Sequence, residues 1–257
     1  MKSELPKLIP KDMVPTRNYI QEVAHVLSAL QRACVKRDPH DWYYGLEVGP
    51  RGLTTQPLRV AGKEVRASLD LVRHKVRLES RAWSLSDYAA PEIFNNIKAW
   101  LQSQAPGVSI SQPKFAGGIR HFDKYQADLY AEALWWMDGQ FRSLKSGLKQ
   151  GLTSPILLYP HHFDLSLVWF PYDDERQLAI GFSTGDQTIA EPYLYLTAYP
   201  EPAGFTKLDI PKGAYWQTAG FSGAILPYAQ LSASPDPKAI LRKYASGIMS
   251  AACPLIG

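Results

Sequence analysis

Leu157-Leu158-Tyr159-Pro160-His161-His162-Phe163-Asp164-Leu165-Ser166-Leu167-Val168-Trp169-Phe170 is the stretch of this 257-residue sequence around which the predicted fold is organised. Successive side chains of a β-strand point to opposite faces of the sheet. The pattern therefore places on one face His162, Asp164 and Ser166, and on the other Phe163, Leu165 and Leu167. The polar face must line a wet cleft or be hydrogen-bonded inside the protein, because an unpaired buried polar group costs about 1–3 kcal/mol.

Strands surround this stretch and follow one another without an intervening helix. They are predicted at 154–159, 162–170, 177–183 and 193–199. Strands that occur in runs favour antiparallel pairing, so the sequence predicts an α+β protein.

The chain is predicted to consist of two similar halves, each ordered helix, antiparallel strands, helix, and packed as one globule. The first half covers 1–118 and the second, which carries the candidate site, covers 119–257. The pair Gly117-Gly118 marks the joint between them. The similarity rests on the order of elements, because no residue-level identity between the halves supports a duplication.

Helix boundaries follow from proline and capping residues. Pro6, Pro10 and Pro15 predict an extended arm over 1–15, with Thr16 as the N-cap of the first helix. Asp123 is predicted to cap the helix that opens the second half. Asp236-Pro237 combines an N-cap with a first-turn proline and starts the terminal helix.

Composition limits the class of protein. With 46% hydrophobic and 20% charged residues, the chain resembles an ordinary globular protein rather than a disordered one. Its apolar runs are interrupted by charges well before bilayer-spanning length, so no membrane partner is expected. The segment 1–7 carries charge and proline where a secretory signal needs a hydrophobic stretch, which predicts a cytoplasmic location.

The positive charge belongs to the first part of the chain. Residues 1–124 hold 19 Lys and Arg against 12 Asp and Glu, whereas residues 125–257 hold 9 against 12. The basic hairpin over 63–81 carries Lys63, Arg66, Arg73, Lys75, Arg77 and Arg81. Acidic residues are interleaved and no nucleic-acid motif accompanies them, so a solvated sheet face is favoured over nucleic-acid binding. The oligomeric state is left open.

Imidazole and carboxylate groups of the second half form the first candidate site. The candidate metal ligands are His162, Asp164, Asp186 and Glu191, with His161 as the catalytic acid–base. A His-x-Asp pair can ligate a divalent metal or act as base and orienter, which suggests metal-assisted hydrolysis. The structural alternative is that Asp164 accepts hydrogen bonds from a turn while the histidines lie half-exposed at a strand end.

Aromatic residues suggest a second kind of site. Tyr193 and Trp216 are the candidate ligand-binding residues, although an aromatic stripe is also typical of a core. The sequence therefore predicts a polar cleft that binds a small molecule. Two alternatives are a non-catalytic module for a cationic or sugar-like ligand, and a protein-interaction module that uses the basic hairpin as its contact surface.

Two common catalytic signatures are absent: there is no P-loop and no G-x-G-x-x-G after a strand. Three segments nevertheless form a pattern, namely Tyr159-Pro160-His161-His162-Phe163-Asp164, Ser183-Thr184-Gly185-Asp186 and Glu191-Pro192-Tyr193. The pattern resembles that of a family of uncharacterised microbial proteins, W-P-[EH]-H-F-D, then S-P-G-D, then P-E-P-Y. Arg51-Gly52-Leu53-Thr54-Thr55 is similar to a related domain of unknown function. The resemblance implies that His162, Asp164, Asp186 and Glu191 form a set to be tested together, and it supplies no activity.

Overall fold

The structure is a computed structural model, and it describes residues 5–116, 121–173 and 175–257. Helices and antiparallel strands are both abundant, which confirms the α+β class. The described residues contain the α-helices α1 (Pro10–Cys34), α2 (Ala90–Gln104), α3 (Lys124–Gly147), α4 (Tyr228–Ser232) and α5 (Pro237–Ala252).

The strands follow one another in two runs, as the sequence predicted. The first run consists of β1 (Glu47–Gly49), β2 (Gly52–Thr54), β3 (Leu58–Val60), β4 (Lys63–Val65), β5 (Ala67–Asp70), β6 (Lys75–Leu78) and β7 (Arg81–Ser84). The second consists of β8 (Leu152–Thr153), β9 (Leu157–Tyr159), β10 (Asp164–Phe170), β11 (Gln177–Ser183), β12 (Tyr193–Tyr199), β13 (Tyr215–Gln217) and β14 (Gly223–Pro227).

The chain divides into two compact units. The N-terminal unit comprises Lys11–Trp135 and Leu157–Phe163, and the C-terminal unit comprises Met1–Pro10, Trp136–Ile156 and Asp164–Gly257. The division into halves 1–118 and 119–257 stays a prediction, and its proposed joint at Gly117-Gly118 lies outside the described residues. The order helix, strands, helix is present in both parts of the chain.

The N-terminal unit contains an antiparallel sheet of five strands in the order β1-β2-β5-β6-β7. Val76 and Leu78 of β6 are fully buried, whereas Lys75 and Arg77 alternate with them and remain partly exposed. The basic hairpin therefore has one buried face and one wet face, as the alternation predicted.

Helix α1 begins at Pro10, so the predicted extended arm is wrong over 10–15, and so is the Thr16 N-cap. Residues 1–4 of that arm lie outside the described residues. Met13 and Thr16 are buried inside the helix, and the Thr16 hydroxyl accepts a hydrogen bond from the Asp123 backbone N–H at 2.9 Å. Proline in a helix interior removes a backbone hydrogen bond and costs about 3 kcal/mol. At Pro15 this cost is opposed by the burial of Met13 and Thr16, which local sequence rules do not register.

The other two predicted helix caps are confirmed. The Asp123 carboxylate accepts hydrogen bonds from the backbone N–H groups of Tyr125 and Gln126 at 2.8 and 3.2 Å. The Asp236 carboxylate accepts one from Ala239 at 3.0 Å, and Pro237 is the first residue of α5. Each carboxylate satisfies backbone donors that a helix start leaves unpaired.

The C-terminal unit contains six antiparallel strands in the order β13-β14-β12-β11-β10-β8. Leu165 and Leu167 of β10 are fully buried, as are their cross-strand partners on β11, Phe182 and Ile180. The apolar face of β10 is therefore part of the sheet core, as the sequence predicted.

No helix in the three described segments is long and apolar enough to cross a membrane.

Candidate functional site

Polar side chains of the C-terminal unit share one face of three neighbouring strands. The strand register aligns Asp164 on β10 with Ser183 on β11, and Ser183 with Tyr193 on β12. Two residues along, it aligns Ser166 with Gly181, and Gly181 with Tyr195. Directly paired residues of antiparallel strands lie on the same face. We call these six residues, together with Asp186, whose carboxylate accepts a hydrogen bond from Tyr193, the polar face.

Tyr195 connects the outer strands of the polar face. Its phenol donates a hydrogen bond to Oδ2 of Asp164, so the ring reaches across β11 to β10. The ring passes directly over Gly181, where an added Cβ would overlap the ring carbons and the hydroxyl oxygen. Gly181 is therefore required for this contact, as is common where another group approaches a strand closely.

Asp186 holds the loop that follows β11. Its Oδ1 accepts hydrogen bonds from the backbone N–H groups of Thr188 and Ile189 at 2.6 and 2.8 Å. Its Oδ2 accepts a hydrogen bond from the Tyr193 phenol at 2.6 Å. Gly185 precedes it with φ of +94°, a left-handed conformation that favours glycine. The Asp186 carboxylate is thus committed to the loop and to the polar face.

Both phenols of this network remain protonated at neutral pH. Burial raises the pKa of Tyr193, and its hydrogen bond to Asp186 raises it further. Burial also raises the pKa of Tyr195 well above its usual value, and the neighbouring Asp164 carboxylate acts in the same direction. Tyr193 and Tyr195 are therefore fixed hydrogen-bond donors to the two carboxylates.

Glu191 and Trp216 lie outside this hydrogen-bonded network. Glu191 is exposed. Burial of Tyr215 is the larger cause that raises the pKa of Tyr215, and the negative charge of Glu191 raises it further. The Trp216 indole N–H donates to the carbonyl of Leu208 at 3.1 Å, and its ring packs edge-on against Phe205. The ligand-binding roles of Tyr193 and Trp216 stay predictions.

His161 and His162 lie in a turn that precedes β10. The prediction that this strand begins at residue 162 is wrong, because β10 begins at Asp164. The Phe163 backbone N–H bonds to the Tyr159 carbonyl at 2.8 Å, and Phe163 has φ of 54°. A local turn thus removes the alternation that would place His162 on the same strand face as Asp164. The two histidines belong to the N-terminal unit and Asp164 to the C-terminal unit.

His161 is a neutral imidazole at neutral pH. Partial burial, which is the largest cause, and the charges of His162 and His25 together lower the pKa of His161 to about 4. The ring centroids of His161 and His162 are 4.5 Å apart. The turn is attached to α1 by a hydrogen bond from the Gln21 amide to the Pro160 carbonyl at 2.9 Å. A group with this pKa carries no proton to donate at pH 7.

Across residues 5–116, 121–173 and 175–257, no group of three or more His, Cys, Asp or Glu side chains is placed to hold a metal ion. The divalent metal, and with it the hydrolysis by His162, Asp164, Asp186, Glu191 and His161, stays a prediction.

A groove of about 830 Å³ lies between α3 and α5 in the C-terminal unit. Helix α3 contributes Gln140, Ser143, Leu144 and Gly147, followed by residues 148–150. Helix α5 contributes one stripe, which consists of Lys238, Arg242, Ser246 and Ser250, together with Ala239, Leu241 and Met249. Trp169 of β10 completes the lining, and its indole N–H donates to the Gln150 carbonyl at 2.7 Å.

Sequence reasoning missed this groove. Its lining residues are ordinary in type, and small residues such as Ser143, Gly147 and Ser246 leave space next to the buried stripes of the two helices. Serine and glycine beside a helical apolar stripe were the only local signal. Such a signal is weak because exposed helix faces often carry small residues.

One of the comparisons with known proteins, the comparison with protein families, gives a match. The sequence model of a single family matches residues 5–177 and 171–257. The chain belongs to the DUF5996 family. That family is described as one of unknown function, so membership confirms the resemblance seen in the sequence and assigns this DUF5996 protein no activity. No curated protein and no solved structure matches the chain.

Proposed function

We propose that this DUF5996 protein binds a small molecule in the groove between α3 and α5. The observation that carries the proposal is the size and lining of the groove, about 830 Å³ bordered by apolar and charged side chains. Small-molecule sites are typically clefts of about 300–1,000 Å³ with apolar walls and a few polar groups.

The polar face is a weaker candidate for the same role. Asp164 accepts a hydrogen bond from the Tyr195 phenol. Asp186 accepts one from the Tyr193 phenol and two from backbone N–H groups. A ligand would have to replace contacts that already exist within the protein. The groove requires no such replacement.

The groove supports binding without chemistry. Its titratable lining residues are Lys149, Asp236, Lys238 and Arg242, and the Asp236 carboxylate is used as the cap of α5. A general acid–base pair needs groups that titrate near neutral pH. The residues that line the groove include no histidine and, beside Asp236, no second carboxylate, which favours the non-catalytic alternative that the sequence left open.

Filling the groove tests the proposal. Gly147 lines it, and a Cβ added there would meet no atom within 4 Å, so Gly147→Trp can place an indole in the groove without a clash at Cβ. Gly139 lies on the same helix, is equally open and does not line the groove, so Gly139→Trp is the matched control. The probe is Nile red, an uncharged dye that fluoresces in apolar surroundings.

The expected result is saturable Nile red binding that is at least about tenfold weaker in Gly147→Trp and unchanged in Gly139→Trp. Circular dichroism of both variants checks that they fold. Equal Nile red affinity in the two folded variants would contradict binding in the groove.

A further inference from the structure

Three of the four charged residues that line the groove are cations. Lys149, Lys238 and Arg242 line it, and its single carboxylate, Asp236, accepts a hydrogen bond from the Ala239 backbone. We infer that the ligand is a single-chain anionic amphiphile, with a carboxylate or phosphate headgroup at these cations and an apolar tail along the groove. This inference rests on the proposed function, because it names the class of ligand that the groove takes.

The position of two cations favours one shared anionic group. Lys238 and Arg242 are four residues apart on α5, and side chains at this spacing are neighbours on a helix surface. Both lie near the N-terminal end of a 16-residue helix, where the helix dipole also favours an anion. Asp236 offsets part of this field, so the anion is held by the side chains rather than by the helix end alone.

The three cations are available to a ligand. Within the described part of the chain, Lys149, Lys238 and Arg242 form no ion pair, whereas Arg142 on the far side of α3 is paired with the buried Asp138. A headgroup that binds them breaks no existing salt bridge. Arginine can also bind a carboxylate or phosphate through two parallel hydrogen bonds.

The remainder of the lining suits a hydrocarbon chain. Leu144 and Leu148 come from the α3 side, Leu241 and Met249 from α5, and Trp169 from β10. Methionine and leucine adapt to flexible apolar ligands, and burial of apolar surface contributes about 25 cal/mol per Å². Leu241, Met249 and Trp169 are already almost fully buried and form the floor of the groove, whereas Leu144 and Leu148 are partly exposed. A hydrocarbon chain would cover the exposed parts of Leu144 and Leu148, which a free phosphate or a short carboxylate would leave in water.

Displacement of Nile red by matched compounds tests the ligand class. The competitors are decanoate, decyl phosphate, uncharged 1-decanol and inorganic phosphate, each below any micelle-forming concentration. We expect decanoate and decyl phosphate to displace the dye with an affinity roughly tenfold higher than that of 1-decanol, as two partly exposed charge contacts would give. Inorganic phosphate alone should displace nothing, and salt should weaken only the charged competitors.

Charge variants locate the headgroup. In Lys238→Gln with Arg242→Gln, the ratio of the decanoate affinity to the 1-decanol affinity, both measured on the same variant, should fall from about ten to about one. Lys243→Gln is the control, because Lys243 is an exposed cation of the same helix that does not line the groove.

Failure of the ligand class and failure of the proposed function give different results. Equal displacement by decanoate and 1-decanol, with Nile red binding still sensitive to Gly147→Trp, overturns the anionic class and leaves groove binding intact. An undiminished decanoate advantage in the double variant also overturns the headgroup assignment. Nile red binding that is unaffected by Gly147→Trp overturns both proposals.

Discussion

The polar face and the groove belong to the same unit and differ in how their polar groups are used. On the polar face, Asp164 and Asp186 each accept a hydrogen bond from a tyrosine phenol. Gly181 provides the space for the contact between Tyr195 and Asp164. In the groove, three cations face a concave surface without an ion-pair partner in the described residues. Chemically distinctive residues therefore stabilise the fold in one region, while ordinary residues leave the other open for a ligand.

The largest effect is expected at Gly181. In Gly181→Ala, the added methyl group overlaps the Tyr195 ring and should lower the free energy of unfolding by about 3 kcal/mol, the upper part of the range for overpacking. Urea denaturation measures this loss. Gly139→Ala, at an open helical position, should instead stabilise the protein by about 0.5–1 kcal/mol. An unchanged free energy of unfolding in Gly181→Ala would mean that Tyr195 does not need to cross β11.

The hydrogen bond between Tyr195 and Asp164 gives the second effect. Asp164→Ala leaves the buried phenol without this acceptor and should destabilise the protein by about 2 kcal/mol. Tyr195→Phe removes the donor, so the double variant should be less destabilised than the sum of the single variants by about 1 kcal/mol. Additive losses would show that the two groups are not coupled, and the polar face would then lose its structural role.

A smaller effect is expected from pH at His161. The unfolded chain binds a proton at His161 near pH 6.5, whereas the folded chain does so only near a pKa of about 4. Between these values the unfolded state binds more protons, so stability contributed by the neutral imidazole is present above pH 6.5 and is lost as pH falls toward 4. Because the side chain is partly exposed, we expect a loss of about 1 kcal/mol.

His161→Gln should reduce this pH dependence in denaturation curves measured between pH 6.5 and 4. The matched variant His121→Gln replaces a histidine outside the turn. A pH dependence that is the same in both variants would contradict the low pKa of His161.

The smallest stability effect is expected in the groove. Lys238→Gln should change the free energy of unfolding by less than about 0.5 kcal/mol, because the side chain is exposed and unpaired within the described residues. Thermal denaturation against wild type measures this. A large loss would show that Lys238 is a structural residue, and the contrast between the two regions would fail.

Sequence rules that use only neighbouring residues predicted the features of the fold that depend on residues close together in the chain. The alternation of Asp164 and Ser166 with Leu165 and Leu167 predicted the polar and apolar faces of β10, both of which are buried, and Asp236 predicted the start of α5. The turn at His161 and His162 was missed because it depends on a positive φ at Phe163. Phenylalanine rarely adopts this left-handed conformation, so the local sequence does not indicate the turn.

The remaining features depend on residues far apart in the sequence. Gly181 and Tyr195 are meaningful only in the register of β11 and β12, which a single strand pattern does not set. The groove requires α3 and α5, whose facing residues Gly147 and Arg242 are separated by most of the second half. The spacing of residues in the sequence does not show that such distant residues lie together. The site was therefore predicted from histidine and carboxylate residues, whose chemistry is distinctive.

Hydrogen–deuterium exchange with and without bound Nile red compares the two regions in one experiment. The account predicts slower exchange in peptides that cover 140–150 and 236–250, the two sides of the groove, and unchanged exchange in peptides that cover 181–195, a part of the polar face that does not line the groove. Protection of the polar-face peptides with no change along the groove would contradict it.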